Sequence, residues 1–224
     1  MKSLKVLAFV LTAVAGSTAA LLAQDPLKVD PTHYKLVVEN AAVRVLKISY
    51  PAGSKSVMHE HPDSVVVVLD GGKTKFTMPD GTSQEPDMAP GSAMYIPAGK
   101  HLPMNEGKAA NLAVLVEFKT PGAGKAVLPS SRAGLTLATL AEGPRATAYK
   151  ATAAASFAEP AGTKHDFDQV IIALAPIQMS LSIDGKPAKT TWAKGDVAFI
   201  GRGVPHESKN TGGKPADFAI VAIK

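Results

Sequence analysis

The sequence predicts an all-β chain built from two similar domains, and three observations carry that prediction. No long segment shows an apolar period of 3.6 residues, whereas short apolar runs divided by turn residues recur throughout. Gly (19) and Pro (17) are plentiful among the 224 residues and aromatics are few, a composition that suits short strands and many turns. The chain also repeats itself. Asp80-Gly81 returns as Asp184-Gly185, Gly91 as Gly195, Gly99 as Gly203, His101 as His206, Asn105 as Asn210 and Ala113 to Lys119 as Phe218 to Lys224, all 104 or 105 positions later. A steady offset marks a duplicated unit.

Residues 1–23 stand apart from the fold. Lys2 and Lys5 form a positive start, Val6 to Ala15 an apolar run, and small residues follow to Ala20 or Ala23, the order of a cleaved export signal. A spanning helix would need about 20 apolar residues and a polar stop, so no stable membrane anchor is expected and the mature chain belongs in the periplasm or outside the cell. No cysteine occurs, which removes disulfides and a lipid-bearing cleavage site.

From residue 24 the strands follow in order. Tyr34 to Glu39 and Val43 to Tyr50 are separated by Asn40, and Pro51-Ala-Gly53 turns the chain into Val-Met-His59-Glu-His61-Pro-Asp63. Val65 to Leu69 is a continuous apolar run, as for a strand buried on both faces. Asp70-Gly71-Gly72 and Pro79-Asp80-Gly81 frame a strand from Thr74 to Met78. Ala93 to Ile96 leads to the Pro97-Ala-Gly99 turn and His101, and Leu112 to Phe118 closes the first domain, 24–121. A link over 122–143 follows; Gly122-Ala-Gly124-Lys125 within it has neither the spacing nor the following Ser or Thr of a phosphate loop. The second domain, 144–224, repeats the plan, with Pro160-Ala-Gly162 standing for Pro51-Ala-Gly53.

His59 and His61 are the centre of the first domain. On a strand they lie roughly 6.6 Å apart along the chain and point to one face. Two such imidazoles lean onto one metal ion at about 2.0–2.1 Å when a third ligand arrives from elsewhere, and His101, just past a Pro-Gly turn, is the candidate. His33 reads as an ordinary hydrogen-bonded histidine, Glu60 as solvated and Trp192 as packing. Without the two lysines of residues 1–23 the formal charge falls from +5 to +3, with lysines scattered through turns, so nucleic acid is not an expected partner.

These residues resemble the cupin superfamily, whose motifs are G-x5-H-x-H-x3,4-E-x6-G and G-x5-P-x-G-x2-H-x3-N. Gly53, His59, His61 and Gly72 fit the first motif. Gly91, Pro97, Gly99, His101 and Asn105 fit the second, with His101 one residue early. In the second half Gly195, Gly203, His206 and Asn210 fit the second motif, with Gly201 in place of proline. The resemblance covers essentially all the mature chain and implies a bicupin: two tandem double-stranded β-helix barrels. It also implies one divalent ion, Fe, Mn, Ni, Cu or Zn, held by His59, His61 and His101. The motif's glutamate is replaced by Val65, or by Val66 on the longer spacing; Asp63 is the alternative carboxylate. The second half has lost the first motif histidine. Counted from His165, the resemblance places Gln169 at the glutamate position and His206 at the third-ligand position, a degenerate site whose alanine variants should leave metal stoichiometry unchanged.

Three readings of function follow. Three imidazoles leave coordination positions open for a chelating substrate or O2, so the first is a dioxygenase-type oxidoreductase resembling quercetinase-like bicupins. The second is a non-catalytic module that binds a metal or small ligand, and the third an isomerase or lyase. A small-molecule partner is expected in each, and a homo-oligomer is compatible with all.

Overall fold

A computed structural model describes residues 24–86, 88–122, 125–129 and 131–224. The expected export signal, 1–23, lies outside the described residues. Among the described residues the structure is all-β apart from a four-residue helix, α1 (Pro26–Val29). The first half comprises β1 (Tyr34–Glu39), β2 (Val43–Tyr50), β3 (His59–His61), β4 (Ser64–Asp70), β5 (Thr74–Thr77), β6 (Ser83–Gln84), β7 (Ala93–Ile96), β8 (Gly99–Asn105) and β9 (Asn111–Phe118). The second comprises β10 (Ser131–Arg132), β11 (Leu135–Glu142), β12 (Ala146–Ala153), β13 (Asp168–Ala173), β14 (Ile177–Ile183), β15 (Lys186–Trp192), β16 (Val197–Ile200), β17 (His206–Asn210) and β18 (Ala216–Ile223).

In the first half a five-stranded sheet, β1-β2-β9-β4-β7, accompanies a four-stranded one, β3-β8-β5-β6. The second half matches it with β10-β11-β12-β18-β13-β16 and β15-β14-β17. Every pairing described is antiparallel. Turn chemistry sets the corners: Gly91 and Gly195, at φ +78° and +77°, occupy the left-handed region that only glycine adopts freely. Asn105 and Asn210 fix the turns that follow. Each amide donates to three backbone carbonyls, Tyr50, Pro51 and Ala109 for Asn105 and Ala153, Ala154 and Lys214 for Asn210. The motif asparagine is therefore a loop clamp.

Of the link expected over 122–143, residues 135–142 are β11, paired with β12 along its length. The reason is readable afterwards. Leu135 and Leu137 are buried while Thr136 is exposed, and the β11–β12 hairpin repeats β1–β2 at an offset of 103, including a register shift beside Leu140 that matches the one beside Val37.

Side chains on alternate positions of the two large sheets go to different places. Leu46, Val66, Val68 and Leu115 face the interior of the first barrel. Their neighbours Val45, Val65, Val67, Val114 and Val116 face the other way, and meet Ala146, Ala148, Val170, Ile172, Ala219 and Val221 in one apolar layer between the halves. This layer explains why Val65 to Leu69 is apolar at every position. Gly143, in the β11–β12 turn, lies so close to Tyr95 of β7 that a Cβ there would fall 2.1 Å from the ring. A third cluster, with Phe157, Phe167, Met179 and Trp192, fills the second barrel.

Candidate metal centre

β3 and β8 pair antiparallel with His59 opposite His101 and His61 opposite Gly99. Period two places His59 and His61 on one face, and the cross-strand register brings His101 to the same face. Each ring offers a nitrogen, and these nitrogens lie within 4.8 Å of one another. The ring centroids are 4.8 Å (His59–His61), 5.0 Å (His59–His101) and 5.2 Å (His61–His101) apart. The early placement of His101 in its motif costs nothing geometrically, because the β3–β8 register supplies the pairing.

Each ring of the His-x-His pair is oriented from behind. His61 Nδ1–H donates to Glu117 Oε1 at 2.5 Å, and Arg44 Nε–H donates to Glu117 Oε2. Arg44 in turn donates to Asp25. His59 Nδ1–H donates to the Val57 carbonyl at 2.8 Å, so Nε2 is its acceptor and takes the Tyr34 hydroxyl proton at 2.9 Å. Tyr50 donates to Tyr34, and Ser56 donates to Asp30. Such anchoring fixes tautomer and ring direction, the usual arrangement behind a metal-ligating histidine. His33 is tied to Asp30 and stacked on Tyr50 at 4.4 Å, outside the cluster.

The electrostatics suit a cation. Burial, with His61 as neighbour, pushes His59 down to about 4, and burial with His61 and His59 pushes His101 down to about 3, so both stand neutral and ready to ligate at neutral pH. Burial alone would raise Glu117, but the hydrogen bonds from His61 and Arg44 outweigh it and hold the carboxyl below its ordinary value. Burial and then Tyr50 raise Tyr34 well above a normal phenol.

Beside the histidines is a cavity of about 60 Å³, room for roughly four waters at about 10–15 Å³ each. Ile48, Val66, Val68, Phe76, Ile96 and Leu115 line it together with His61 and His101. Two buried polar atoms on its wall, Ser64 Oγ and Asn111 Oδ1, have no protein partner among the described residues. Val66 is on this wall; Val65 is in the inter-barrel layer. Asp63 is turned away, accepting from Ala98 N at 2.7 Å and pairing with Arg145 at 3.7 Å.

In the second barrel His165 and His206 are neighbours at 5.2 Å, Glu159 is the carboxylate grouped with them, and Gln169 lines the same cavity as His206. Gln169 pairs with Ile200 and Ala222, as Ser64 pairs with Ile96 and Glu117. By register it stands for Ser64; an additional residue between His165 and β13 displaces a count made from the histidine. Ala222 takes the place of Glu117, so His165 lacks that anchor. Trp192 is buried, donating to the Met179 carbonyl.

No protein-family model matches the sequence, and no curated protein does. Solved structures do match. AerE from Microcystis aeruginosa superposes with a TM-score of 0.63 at 14% identity, over 86% of this chain and 97% of that one. Salicylate 1,2-dioxygenase from Pseudaminobacter salicylatoxidans gives 0.62 at 10% identity, over 84% and 75%. The Cupin 2 conserved barrel domain protein from Leptotrichia buccalis gives 0.54 at 12%, over 85% and 88%. At these identities the likeness establishes the fold, which is that of the cupins. Within it, this chain has two barrels of that fold in tandem, with a cluster of three histidines in the first.

Glu117 escaped the sequence reading because it sits in the apolar run Leu112 to Phe118, 56 positions from His61. A lone carboxylate inside such a run was the available signal, since a buried charge needs a partner. Glu117→Gln should weaken metal binding about 10- to 100-fold, read by competition with a chromogenic chelator; unchanged affinity would show that His61 orients itself.

The histidines also make the metal-free fold acid-sensitive. His59 and His101 take up protons more readily unfolded, near the ordinary 6.5, than folded, at about 4 and about 3. Unfolding therefore binds protons between those values, and stability falls as pH drops through that window. Chemical denaturation midpoints of the stripped protein at pH 7 and pH 4.5 should show this, and the slope should flatten in His59→Ala.

Proposed function

We propose that this protein is an exported, divalent-metal-dependent oxidoreductase of dioxygenase type acting on a small organic molecule. The observation that carries the reading is the convergence of His59, His61 and His101 beside a largely apolar cavity that His61 and His101 line. Imidazoles whose Nδ1–H groups are tied to Glu117 and Val57 would hold a divalent ion through Nε2, with the Tyr34 hydroxyl giving up its bond to His59 Nε2 in favour of the ion. Bound there, such an ion would supply Lewis acidity and open positions for a chelating substrate and O2. The chain's own residues do the rest: the apolar wall excludes water, Ser64 and Asn111 offer hydrogen bonds to polar groups of the substrate, and Tyr34 holds a hydroxyl beside His59. Support comes also from the fold's likeness to salicylate 1,2-dioxygenase, a structure of which is an adduct with gentisate.

The test is metal analysis of the purified chain followed by O2 uptake with flavonols, diketones and catechols. Uptake that scales with metal content is expected. Metal without turnover across the panel would make the protein a binding module, and product formed without O2 loss would make it an isomerase or lyase. Protein from the native host should begin near Gln24; intact Met1 by mass spectrometry would overturn export.

A further inference from the structure

The second barrel contains a polar cluster that plays no part in the three-histidine centre. Glu159, His165 and His206 each present a ligand atom within 4.8 Å of the other two. Two isolated bridges deliver them: Ala158 pairs with Lys209, and Thr163 with His206. In the first barrel Lys55 pairs with Met104 and His59 with His101. Glu159 thus stands where the first barrel has Ser56, and Thr163 where it has His59. The half that lost a histidine has gained a carboxylate, Glu159, four residues before Thr163, which stands at the place of the missing ring.

The carboxylate is oriented as a ligand would be. Ser208 Oγ donates to Glu159 Oε2 at 3.0 Å, Arg132 pairs with Oε1 at 2.9 Å, and Oε2 lies 3.6 Å from His206 Nε2. His206 Nδ1–H donates to the Val204 carbonyl at 3.2 Å, so Nε2 is the nitrogen that faces the carboxylate. Two further buried nitrogens, His165 Nε2 and Gln169 Nε2, have no partner among the described residues. Gln169 is only 3% exposed and lines, with Glu159 and His206, a cavity of about 20 Å³. That holds one water-sized occupant at about 10–15 Å³ and no organic substrate.

We propose that Glu159, His165 and His206 form a second divalent-cation site, whose ion is structural and fastens the 158–165 segment to β17. Two imidazoles and a carboxylate suit zinc, iron or manganese. Arg132 pairs with Oε1, and Oε2, which accepts from Ser208, keeps a second lone pair for the ion; the positive charge of Arg132 makes this the weaker of the chain's two sites. This site does not depend on the proposed catalysis.

The full-length protein, stripped with chelator and reloaded with excess zinc, should hold two ions per chain by plasma emission spectrometry. His206→Ala and Glu159→Gln should hold one, in place of the unchanged stoichiometry expected from the sequence before Glu159 was placed beside the two histidines, and His59→Ala should also hold one. Glu159→Gln keeps the size of the side chain and its bond from Ser208, so it reports on ligation where His206→Ala fails to fold. Zinc should raise the melting temperature of His59→Ala but not of His59→Ala/Glu159→Gln. A parent with one ion that His59→Ala removes would overturn the second site and leave the first standing. A parent with one ion that Glu159→Gln removes and His59→Ala keeps would do the reverse. Zinc contents of both second-barrel variants equal to the parent's would also end the proposal.

Discussion

Alanine at His59, His61 or His101 should strip the first barrel of its ion, with affinity falling more than the about 10- to 100-fold typical of changes behind the ligands. The reason is that Glu117, the nearest carboxylate in hydrogen-bond contact with the cluster, is engaged on both oxygens by His61 and Arg44, and Asp63 is committed to Ala98 and Arg145. Neither is free to replace a lost imidazole. Each variant is best measured in a His206→Ala background, so that an ion in the second barrel does not mask the loss, with circular dichroism to confirm folding. Full metal retention by all three would end the three-histidine assignment.

The second large effect separates two adjacent valines. Val65→Glu places a carboxylate in the apolar layer between the halves, where Val65 is fully buried among valines and alanines. An uncompensated buried charge costs on the order of 3–5 kcal/mol, so the variant should melt far below the parent or accumulate as insoluble protein. Val66→Glu points the other way, into the cavity shared with His61 and His101. It should fold, retain metal longer against a chelator, and lose the O2 uptake proposed for the parent, because the new carboxylate fills space that a substrate would need. A Val65→Glu protein as stable as the parent would mean that the strand register is wrong, and a Val66→Glu protein with unaltered metal retention would place Val66 away from the ion.

That pair shows where sequence reading stops. The three histidines were legible because period two and a Pro-Gly turn are local signals, and the duplicated plan was legible because its spacing is steady. Which valine faces the histidines was not, since a spacing of three or four residues straddles both faces of a strand, and only the pairing of Ser64 with Glu117 decides it. Glu117 and Glu159 lay outside the motif for a related reason: their partners, His61 and His206, are reached through sheet pairing and a bridge, not through neighbouring sequence. Leu135 to Glu142 was hidden by its Gly- and Pro-containing surroundings, although its alternation of Leu and Thr matched the first hairpin.

The valine and alanine layer between the two large sheets has a consequence for how the molecule comes apart. Each sheet covers the outer face of the other, so neither half has a complete core by itself. Heating should give a single calorimetric transition whose van't Hoff and calorimetric enthalpies agree, in spite of the duplicated architecture. A fragment cut between the halves would expose the outer face of its large sheet and seek a second copy of itself, rebuilding as a homodimer the contact that the tandem chain keeps within one polypeptide.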